Sequence, residues 1–266
     1  MKQRIVLVTG ATSGIGAKAA SAFAARGDRV FGAARTPAEG GAFPVLALDV
    51  RDEASVAACL AEVERRAGGL DVLVNNAGVM LFGPVEEVPL EGARALFETN
   101  FWGVARLVNA ALPLLRRSDG GRIVNVGSIA GTSAIPLNGF YAASKHALAG
   151  YTEALRHEAS TFGVKVSLVE PSDFRTGLWS GAPVTPSRLP AYTALRQRVL
   201  PLVEAMIAAA PEPDPVAARI VALADEVAPA LHNPVGTWAK LLPRMKAWMP
   251  EAFFERGVRK RFGLAV

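Results

Sequence analysis

Short apolar runs alternate along the chain with longer segments in which apolar residues recur every three or four positions. The runs lie at residues 4–9, 29–34, 44–48, 71–74, 121–126 and 164–170. They do not alternate strictly between apolar and polar residues, which is typical of parallel strands covered on both faces. The pattern therefore predicts an α/β fold with a doubly wound parallel sheet and helices on both faces.

Helices are predicted between these runs, at residues 15–26, from Asp52 onward, at 90–115 and at 141–162. We expect the helix at 90–115 to break near Asn100. Residues 172–215 contain seven prolines and a helical core near 195–210, which is long for a connection. We expect a helical substrate lid there, then a helix at 215–224, all within one domain spanning residues 1–266.

The composition narrows the class of protein. The chain has 266 residues, 51% of them apolar, enough to bury a sizeable core. No apolar run is long enough for a transmembrane helix, the first residues lack a signal-peptide pattern, and the single cysteine, Cys59, cannot form an internal disulfide. These features favour the cytoplasm. The three histidines do not cluster with cysteines or acids, so no metal site is expected.

The net charge of +5 resides in the C-terminal segment. Residues 238–266 carry seven basic and two acidic side chains, whereas the charges of the other residues cancel. The charge therefore does not indicate a nucleic-acid surface. We predict a basic amphipathic extension at 237–266. A helix pair packed on the domain is the favoured interpretation, and a membrane-surface contact, a lid or a subunit contact are the alternatives.

Tyr141 and Lys145 are the candidate chemical pair. Residues four apart lie on one face of a helix, and an ammonium beside a phenol favours the tyrosinate, so we expect a lowered pKa for Tyr141. Alone, this spacing is common on solvated helices. Ser128, close before the pair, could hold a carbonyl group against the phenol. The three residues indicate a site that reduces a carbonyl group or oxidises an alcohol.

A glycine-rich segment, Thr9-Gly10-Ala11-Thr12-Ser13-Gly14-Ile15-Gly16, follows the first apolar run. Glycines in such a turn let backbone N–H groups approach a pyrophosphate, and the N-terminus of the next helix adds positive potential. The spacing differs from the usual G-x-G-x-x-G dinucleotide pattern. A turn that merely bends the chain is the alternative.

In their order along the chain, the motifs resemble those of the short-chain dehydrogenase/reductase family. The blocks are TGATSGIG at 9–16, Asp49-Val50, Asn75-Asn76-Ala77-Gly78, Asn100, Ser128, Tyr141-x-x-x-Lys145 and residues 171–176. Several blocks in order at family spacing are far more specific than any one of them. The resemblance implies a Rossmann-like sheet, an oxidoreductase of CH–OH groups, and a homodimer or homotetramer.

The resemblance also implies roles for individual residues. The catalytic residues are Asn100, Ser128, Tyr141 and Lys145. The tyrosine would move the proton, the lysine would lower its pKa and bind the nicotinamide ribose, the serine would polarise the substrate oxygen, and the asparagine would hold a water. Structural alternatives are a cap for the serine and a bond across the helix break for the asparagine.

The cofactor-binding residues follow from the resemblance, with Arg35 added for the reason given below. They are Gly10, Thr12, Ser13, Gly14, Ile15, Gly16, Arg35, Asp49, Val50, Asn76, Ala77, Gly78, Tyr141, Lys145, Pro171 and Thr176. Asp49 would accept a hydrogen bond from the adenine amino group, residues 76–78 would pack against the adenosine, and Thr176 would hold the nicotinamide carboxamide. A helix cap for Asp49 and a strand-ending turn at 75–78 are the structural alternatives.

Arg35 favours NADP(H) over NAD(H). At the end of the second strand of a dinucleotide fold, an acid binds a free ribose hydroxyl and a base accepts a 2′-phosphate. This chain has Ala34 and Arg35 there, and a guanidinium matches a phosphate bidentately. A solvated charge at the strand end is the alternative. NADP-dependent relatives often have a second base in the glycine loop, where this chain has Ser13.

Two departures from the family pattern concern the substrate side. Ser172-Asp173 follows Pro171 where relatives have glycine, and Asp173 either alters substrate approach or faces solvent. The usual final strand is not obvious, and residues 229–236 are the candidate replacement. The C-terminal extension is similar to that of hydroxysteroid- and retinol-dehydrogenase-like branches, which act on bulky apolar substrates.

The favoured function is NADP(H)-dependent interconversion of a ketone or aldehyde and an alcohol, on a bulky apolar small molecule. One alternative is a non-catalytic NADP(H)-binding sensor or scaffold, although such proteins commonly lose the tyrosine or lysine that this chain retains. Another is a ketoreductase acting on carrier-bound acyl chains, whose acidic carrier would meet the basic extension. No nucleic-acid partner is expected.

Overall fold

The computed structural model describes residues 3–38, 40–180 and 189–264, without the side chains of residues 179 and 180. Residues 181–188 of the predicted lid and residues 265–266 of the predicted C-terminal extension therefore lie outside the described residues.

A parallel sheet forms the centre of the molecule. Within the described residues it has seven strands in the order β3-β2-β1-β4-β5-β6-β7. The strands are β1 Ile5–Thr9, β2 Arg29–Ala34, β3 Val45–Ala47, β4 Val72–Asn75, β5 Arg122–Val126, β6 Lys165–Pro171 and β7 His232–Val235. Because β1 lies between β2 and β4, the strand order reverses there, which opens a crevice at the carboxyl ends of β1 and β4. The predicted doubly wound sheet is confirmed.

The helices lie between the strands or follow the sheet. They are α1 Gly14–Ala25, α2 Glu53–Ala67, α3 Leu90–Phe97, α4 Gly103–Arg116, α5 Gly139–Ser160, α6 Gly177–Ser180, α7 Thr193–Ala208, α8 Asp214–Asp225, α9 Thr237–Trp248 and α10 Glu251–Arg261. Helix α2 begins as predicted, because the Asp52 side chain accepts a hydrogen bond from the N–H of Ala54 at 2.9 Å.

Both faces of the sheet are covered, and side chains alternate between them. In β1, Val6 and Val8 join one apolar cluster with residues of α1 and α8. Leu7, between them, joins a second cluster with residues of α2, α4 and α5. Each strand is therefore apolar on both sides, which explains why the sequence shows continuous apolar runs.

The break predicted near Asn100 is a π-helical turn. Residues Glu98–Trp102 form this turn between α3 and α4, so the helical segment continues through it. A π-turn inserts an extra residue into the helix and changes which side chains face inward. Asn100 is consequently only 1% exposed and points into the protein.

The final strand, which was not obvious in the sequence, is present as β7. Residues Leu168 to Pro171 of β6 pair in parallel with His232 to Val235. The pattern was obscured because the strand contains Pro234 and two polar residues. As an edge strand with a neighbour on one side only, β7 tolerates a proline that a central strand would not.

The end of the C-terminal extension packs into the domain. Phe262 is 1% exposed and belongs to an apolar cluster with Tyr141 of α5 and Val203 of α7. Other parts of the extension face outward, and Trp248 is 88% exposed. The extension is therefore attached through the side chains at the end of α10, while its middle remains accessible.

Replacing Phe262 with alanine should lower the free energy of unfolding by about 3 kcal/mol, since a fully buried aromatic ring would be removed. Phe253 lies on α10 but is 59% exposed, so the matched variant Phe253→Ala should change stability by less than about 0.5 kcal/mol. Urea unfolding of both variants measures the difference. Equal losses would contradict the packing described for α10.

Candidate functional site

The crevice at the carboxyl ends of β1 and β4 opens into a cavity of about 1000 Å³. Ser128, Tyr141 and Lys145 line it. So do most of the predicted cofactor-binding residues, namely Gly10, Thr12, Ser13, Gly14, Ile15, Arg35, Asp49, Val50, Asn76, Ala77, Gly78, Pro171 and Thr176. Gly16 and Asn100 are buried behind the wall. The structure thus brings the predicted residues to one place, and these two support the wall from inside.

The glycine loop is packed so closely that side chains would not fit. A Cβ atom on Gly16 would lie 2.3 Å from the carbonyl oxygen of Gly10 and 2.4 Å from Nδ2 of Asn76. Gly14 has a φ of +53°, which residues with a side chain rarely adopt. The loop therefore exposes backbone rather than side chains at the N-terminus of α1, which suits a bound phosphate group.

Asn76 joins the end of β4 to this loop. Its Nδ2 donates hydrogen bonds to the carbonyl oxygens of Thr9 and Gly10 at 2.9 and 3.3 Å. The hydroxyl of Thr9 accepts in turn from the N–H groups of Asn76 and Ala77, both at 2.9 Å. The strand-ending turn proposed as an alternative is therefore present, and it holds Ala77 and Gly78 at the cavity wall.

The side chain of Asn100 bonds to residues outside its own helical segment, which differs from the bond across the helix break that the structural alternative described. Its Oδ1 accepts from the N–H of Val79 at 2.8 Å, and its Nδ2 donates to the carbonyl oxygen of Val79 at 2.9 Å. Nδ2 also lies 3.2 Å from the hydroxyl of Ser144 on α5. Asn100 thereby connects the segment after β4 to the helix that carries Tyr141 and Lys145.

Tyr141, Ser128 and Lys145 form a compact group. The hydroxyl of Ser128 is near enough to the phenol of Tyr141 to oppose its raised pKa, and it accepts a hydrogen bond from the N–H of Ala130 at 3.1 Å. Nζ of Lys145 donates to the carbonyl oxygen of Val126 at 2.9 Å and lies 5.7 Å from the centre of the tyrosine ring. Tyr141 and Lys145 are 5% and 6% exposed, respectively.

The lowered tyrosine pKa that we expected is not present in the protein alone. Burial raises the pKa of Tyr141 to about 12, the charge of Asp173 raises it further, and the hydroxyl of Ser128 opposes this shift. Burial also lowers the pKa of Lys145 to about 8. The expectation was wrong because removal from water penalises the charged form of each group, and Lys145 directs its ammonium at Val126.

Arg35 and Asp49 lie at the end of the cavity nearest β2 and β3. Both oxygens of Asp49 accept hydrogen bonds from the Arg51 guanidinium, the shortest at 2.6 Å, and this contact lowers the pKa of Asp49 to about 2. Oδ1 of Asp49 also accepts a hydrogen bond from the N–H of Arg51 at 3.0 Å, just before the start of α2, so its contacts agree with the structural alternative of a cap near this helix. Arg51 also lines the cavity, and the sequence analysis missed it, although a base two residues after Asp49 was visible.

The opposite side of the cavity is built by the segment after β6 and by the C-terminal helices. Thr176 closes over the glycine loop, since its Cβ lies 3.2 Å from where a Cβ of Gly14 would stand. Apolar side chains form much of the remaining wall; they include Phe174, Leu178, Met206, Leu242, Met245, Met249 and Phe254. The extension thus forms part of the wall, the arrangement expected of the lid alternative.

Asp173 lies on the cavity wall and is half-buried. Its side chain therefore faces the cavity, and whether it alters substrate approach stays a prediction. Burial raises the pKa of its carboxyl group, and the charge of Arg261 opposes that shift. Ser172 turns toward β7 instead, where its hydroxyl fills the space in which a Cβ of Gly236 would stand.

The described residues contain no group of three or more His, Cys, Asp or Glu side chains that could hold a metal ion. None of the helices in residues 3–38, 40–180 and 189–264 is long and apolar enough to cross a membrane.

Comparison with known proteins gives consistent matches. A family model described as short chain dehydrogenase matches residues 4–184. A 3-ketodihydrosphingosine reductase of Bacteroides thetaiotaomicron is 34% identical over 97% of this chain and 98% of its own length. An NADPH-dependent 3-dehydrocapnine reductase of Ornithobacterium rhinotracheale is 36% identical over 67% of this chain and 68% of its own.

A solved structure agrees in fold along the whole chain. The crystal structure of a short-chain dehydrogenase from Streptomyces avermitilis superimposes with a TM-score of 0.84 at 33% sequence identity, and the match covers 100% of both chains.

Proposed function

We propose a reaction and a substrate class for this chain, which belongs to the short-chain dehydrogenase/reductase family. It is an oxidoreductase of carbonyl and CH–OH groups. The proposed reaction is the NADPH-dependent reduction of a ketone that carries a long or bulky apolar group. The observation that carries it is the meeting of Tyr141, Ser128 and Lys145 on the wall of one cavity with the glycine loop.

The residues present fit a nicotinamide dinucleotide phosphate. The glycine loop exposes backbone where a Cβ on Gly16 would strike Gly10, and it stands at the N-terminus of α1, so it would hold the pyrophosphate. Arg35 would bind the 2′-phosphate, and Thr176 would hold the carboxamide above Gly14. When bound, the cofactor supplies the hydride. A relative of this chain is named as NADPH-dependent, which supports this choice over NAD(H).

Tyr141 would donate the proton to the carbonyl oxygen. Because its pKa is raised to about 12, the phenol is protonated at neutral pH, which is the form that a general acid needs. Ser128 would hold the substrate oxygen through the hydroxyl that contacts this phenol. A protonated phenol is the form from which reduction starts, whereas alcohol oxidation would start from tyrosinate. Two relatives are named as reductases, which agrees with this direction.

Lys145 would stabilise the negative charge that develops when the phenol loses its proton. Its ammonium lies on the tyrosine side of the cavity and is charged below its pKa of about 8. It would also bind the nicotinamide ribose. Asn100 would position this pair, since its side chain ties α5 to the segment after β4.

The substrate class follows from the wall opposite the glycine loop. Side chains of α7, α9 and α10 make that wall apolar, and a small polar carbonyl compound would leave it exposed to water. Burial of a long chain or ring system there would hold the carbonyl group against Tyr141. The named substrates of the relatives, 3-ketodihydrosphingosine and 3-dehydrocapnine, are the compounds to test first.

Experiment can also distinguish the proposed reaction from two alternative functions, a nucleotide-binding sensor and a ketoreductase for carrier-bound acyl chains. A nucleotide-binding sensor would need no intact proton relay, and the contact between Ser128 and Tyr141 speaks against it. A ketoreductase for carrier-bound acyl chains would use the exposed bases of α9 and α10, and its rate would fall steeply with salt. A rate that is independent of a carrier protein separates our proposal from the latter.

Tyr141→Phe should reduce kcat for ketone reduction by about a hundredfold to ten-thousandfold, because the proton donor is removed while the ring is kept. Steady-state kinetics with NADPH measures the loss. Tyr151→Phe is the matched control, since Tyr151 is also on α5 but packs on Phe101 with ring centres 5.8 Å apart. NADPH binding should survive in both variants. Normal turnover by Tyr141→Phe would overturn the assigned mechanism.

Arg35→Asp should raise the KM for NADPH by about tenfold to a hundredfold more than the KM for NADH, because a phosphate contact becomes a repulsion. Arg29→Asp makes the same charge change at the start of β2, away from the cavity, and should alter neither value. Initial rates with both cofactors give the comparison. A similar change with the two cofactors would remove Arg35 from the phosphate site.

The reduction should lose rate as pH rises through about 8. The charged form of Lys145 exists below its lowered pKa of about 8, so its contribution is present at lower pH and lost above it. Tyr141, with a pKa near 12, does not titrate in this range. In Lys145→Arg the cation persists, and the decline should move to higher pH. The pH dependence of kcat/KM for the ketone at saturating NADPH tests this. If the decline occurs at the same pH in Lys145→Arg as in the wild type, a group other than Lys145 causes it.

A further inference from the structure

Asp173 brings a negative charge to the substrate side of the cavity. It follows the end of β6 by two residues and lines the cavity together with Tyr141 and Ser128. Among the described residues that line this cavity, only Asp49 and Asp173 carry carboxylates, and Asp49 lies at the other end beside Arg51. The acid on the substrate side is therefore a distinct feature of an otherwise largely apolar wall.

No group in the described part of the protein forms a hydrogen bond or an ion pair with this carboxylate. Within the described residues, Asp173 accepts no hydrogen bond and forms no ion pair, although it is half-buried. Asp49, in contrast, is bound by a guanidinium through both oxygens. A partly desolvated carboxylate without a partner is unfavourable in the protein alone, so a ligand that supplies a positive charge would gain from it.

Arg261 lies on the same wall but does not fill this role. Its guanidinium stands over the ring of Trp238, 5.3 Å from the ring centre, and it forms no ion pair with Asp173 in the part of the chain that the structure describes. The two side chains are near enough for Arg261 to oppose the raised pKa of Asp173. Arg261 therefore acts on Asp173 through its charge and not through a direct ion pair.

We propose that Asp173 binds a positively charged amino group that the substrate carries on the carbon next to its carbonyl group. The inference rests on the proposed function and narrows it, from apolar ketones in general to long-chain amino ketones. The apolar wall would take the chain, Tyr141 and Ser128 would take the carbonyl oxygen, and Asp173 would accept hydrogen bonds from the ammonium.

The same contact would act on the proton donor. The negative charge of Asp173 disfavours tyrosinate, which makes Tyr141 a weaker acid. An ammonium placed beside Asp173 would cancel that charge, so the phenol would release its proton more readily. The amino group should therefore improve kcat as well as KM, which mere filling of an apolar pocket would not do.

The test compares three substrates with the NADPH-bound enzyme. The first is 3-ketodihydrosphingosine, a long-chain ketone with an amino group beside the carbonyl. The second is its N-acetyl derivative, which keeps the chain and removes the charge. The third is a plain ketone of equal chain length. We expect kcat/KM for the amino ketone to exceed that for either neutral ketone by about tenfold to a hundredfold.

Asp173→Asn keeps the size of the side chain and removes its charge. It should reduce kcat/KM for the amino ketone by about tenfold to a hundredfold and leave the two neutral ketones unchanged or slightly faster. Arg261→Gln is the control variant, in which a positive charge is removed from the same wall instead of a negative one. Removing this nearby cation should leave the amino ketone unchanged or improve it, since one repulsion is lost.

Each outcome decides the proposal. An equal effect of Asp173→Asn on charged and neutral ketones would overturn it, because the residue would then act only on Tyr141. Equal rates of the wild type with all three ketones would overturn it as well, while leaving the proposed reduction intact. If no ketone is reduced although NADPH binds, the proposed function itself fails. NADPH binding by Asp173→Asn verifies that the variant is folded.

Discussion

The close approach between the loop after β1 and the turn after β4 is the constraint on which the site depends. Gly16 has no room for a Cβ because Gly10 and Asn76 stand within 2.4 Å of that position. Asn76 and Thr9 exchange hydrogen bonds across the same gap. This contact fixes the start of α1 against the end of β4, so backbone N–H groups and the cavity wall share one edge of the sheet.

Burial sets the chemical state of the catalytic pair. Both side chains are removed from water, which favours the neutral form of each. Burial therefore raises the pKa of Tyr141 to about 12 and lowers the pKa of Lys145 to about 8. Simple proximity of phenol and ammonium would have moved the tyrosine pKa the other way. Desolvation by burial is the largest cause of both shifts, and the ammonium is directed at the carbonyl oxygen of Val126. A neutral phenol with a cation nearby is suited to giving a proton to a carbonyl group.

The sequence alone predicted the sheet, the helix break and the group of residues at the cavity, because these depend on local patterns and on motif order. It named residues 229–236 as the candidate replacement for the final strand, but the strand itself was not obvious, because His232-Asn233-Pro234-Val235 of β7 lacks an apolar run. It also missed Arg51 as a residue of the cavity wall and the direction in which the pKa of Tyr141 is shifted. These depend on which groups meet in space and on how much water they lose, and neither quantity is visible in spacing along the chain.

The substrate side of the cavity is built from parts that carry little of the fold. The sheet and the glycine loop are held by β1, β4 and α1, whereas the far wall comes from the segment after β6 and from α9 and α10. Phe262 anchors that wall to the cluster around Tyr141. The segment after β6 contributes to both sides, because Thr176 packs on Gly14 while Asp173 and Phe174 line the cavity. Under the proposed function, substrate choice would therefore depend on this segment and on the C-terminal helices, whereas cofactor binding would depend on the glycine loop and on Thr176.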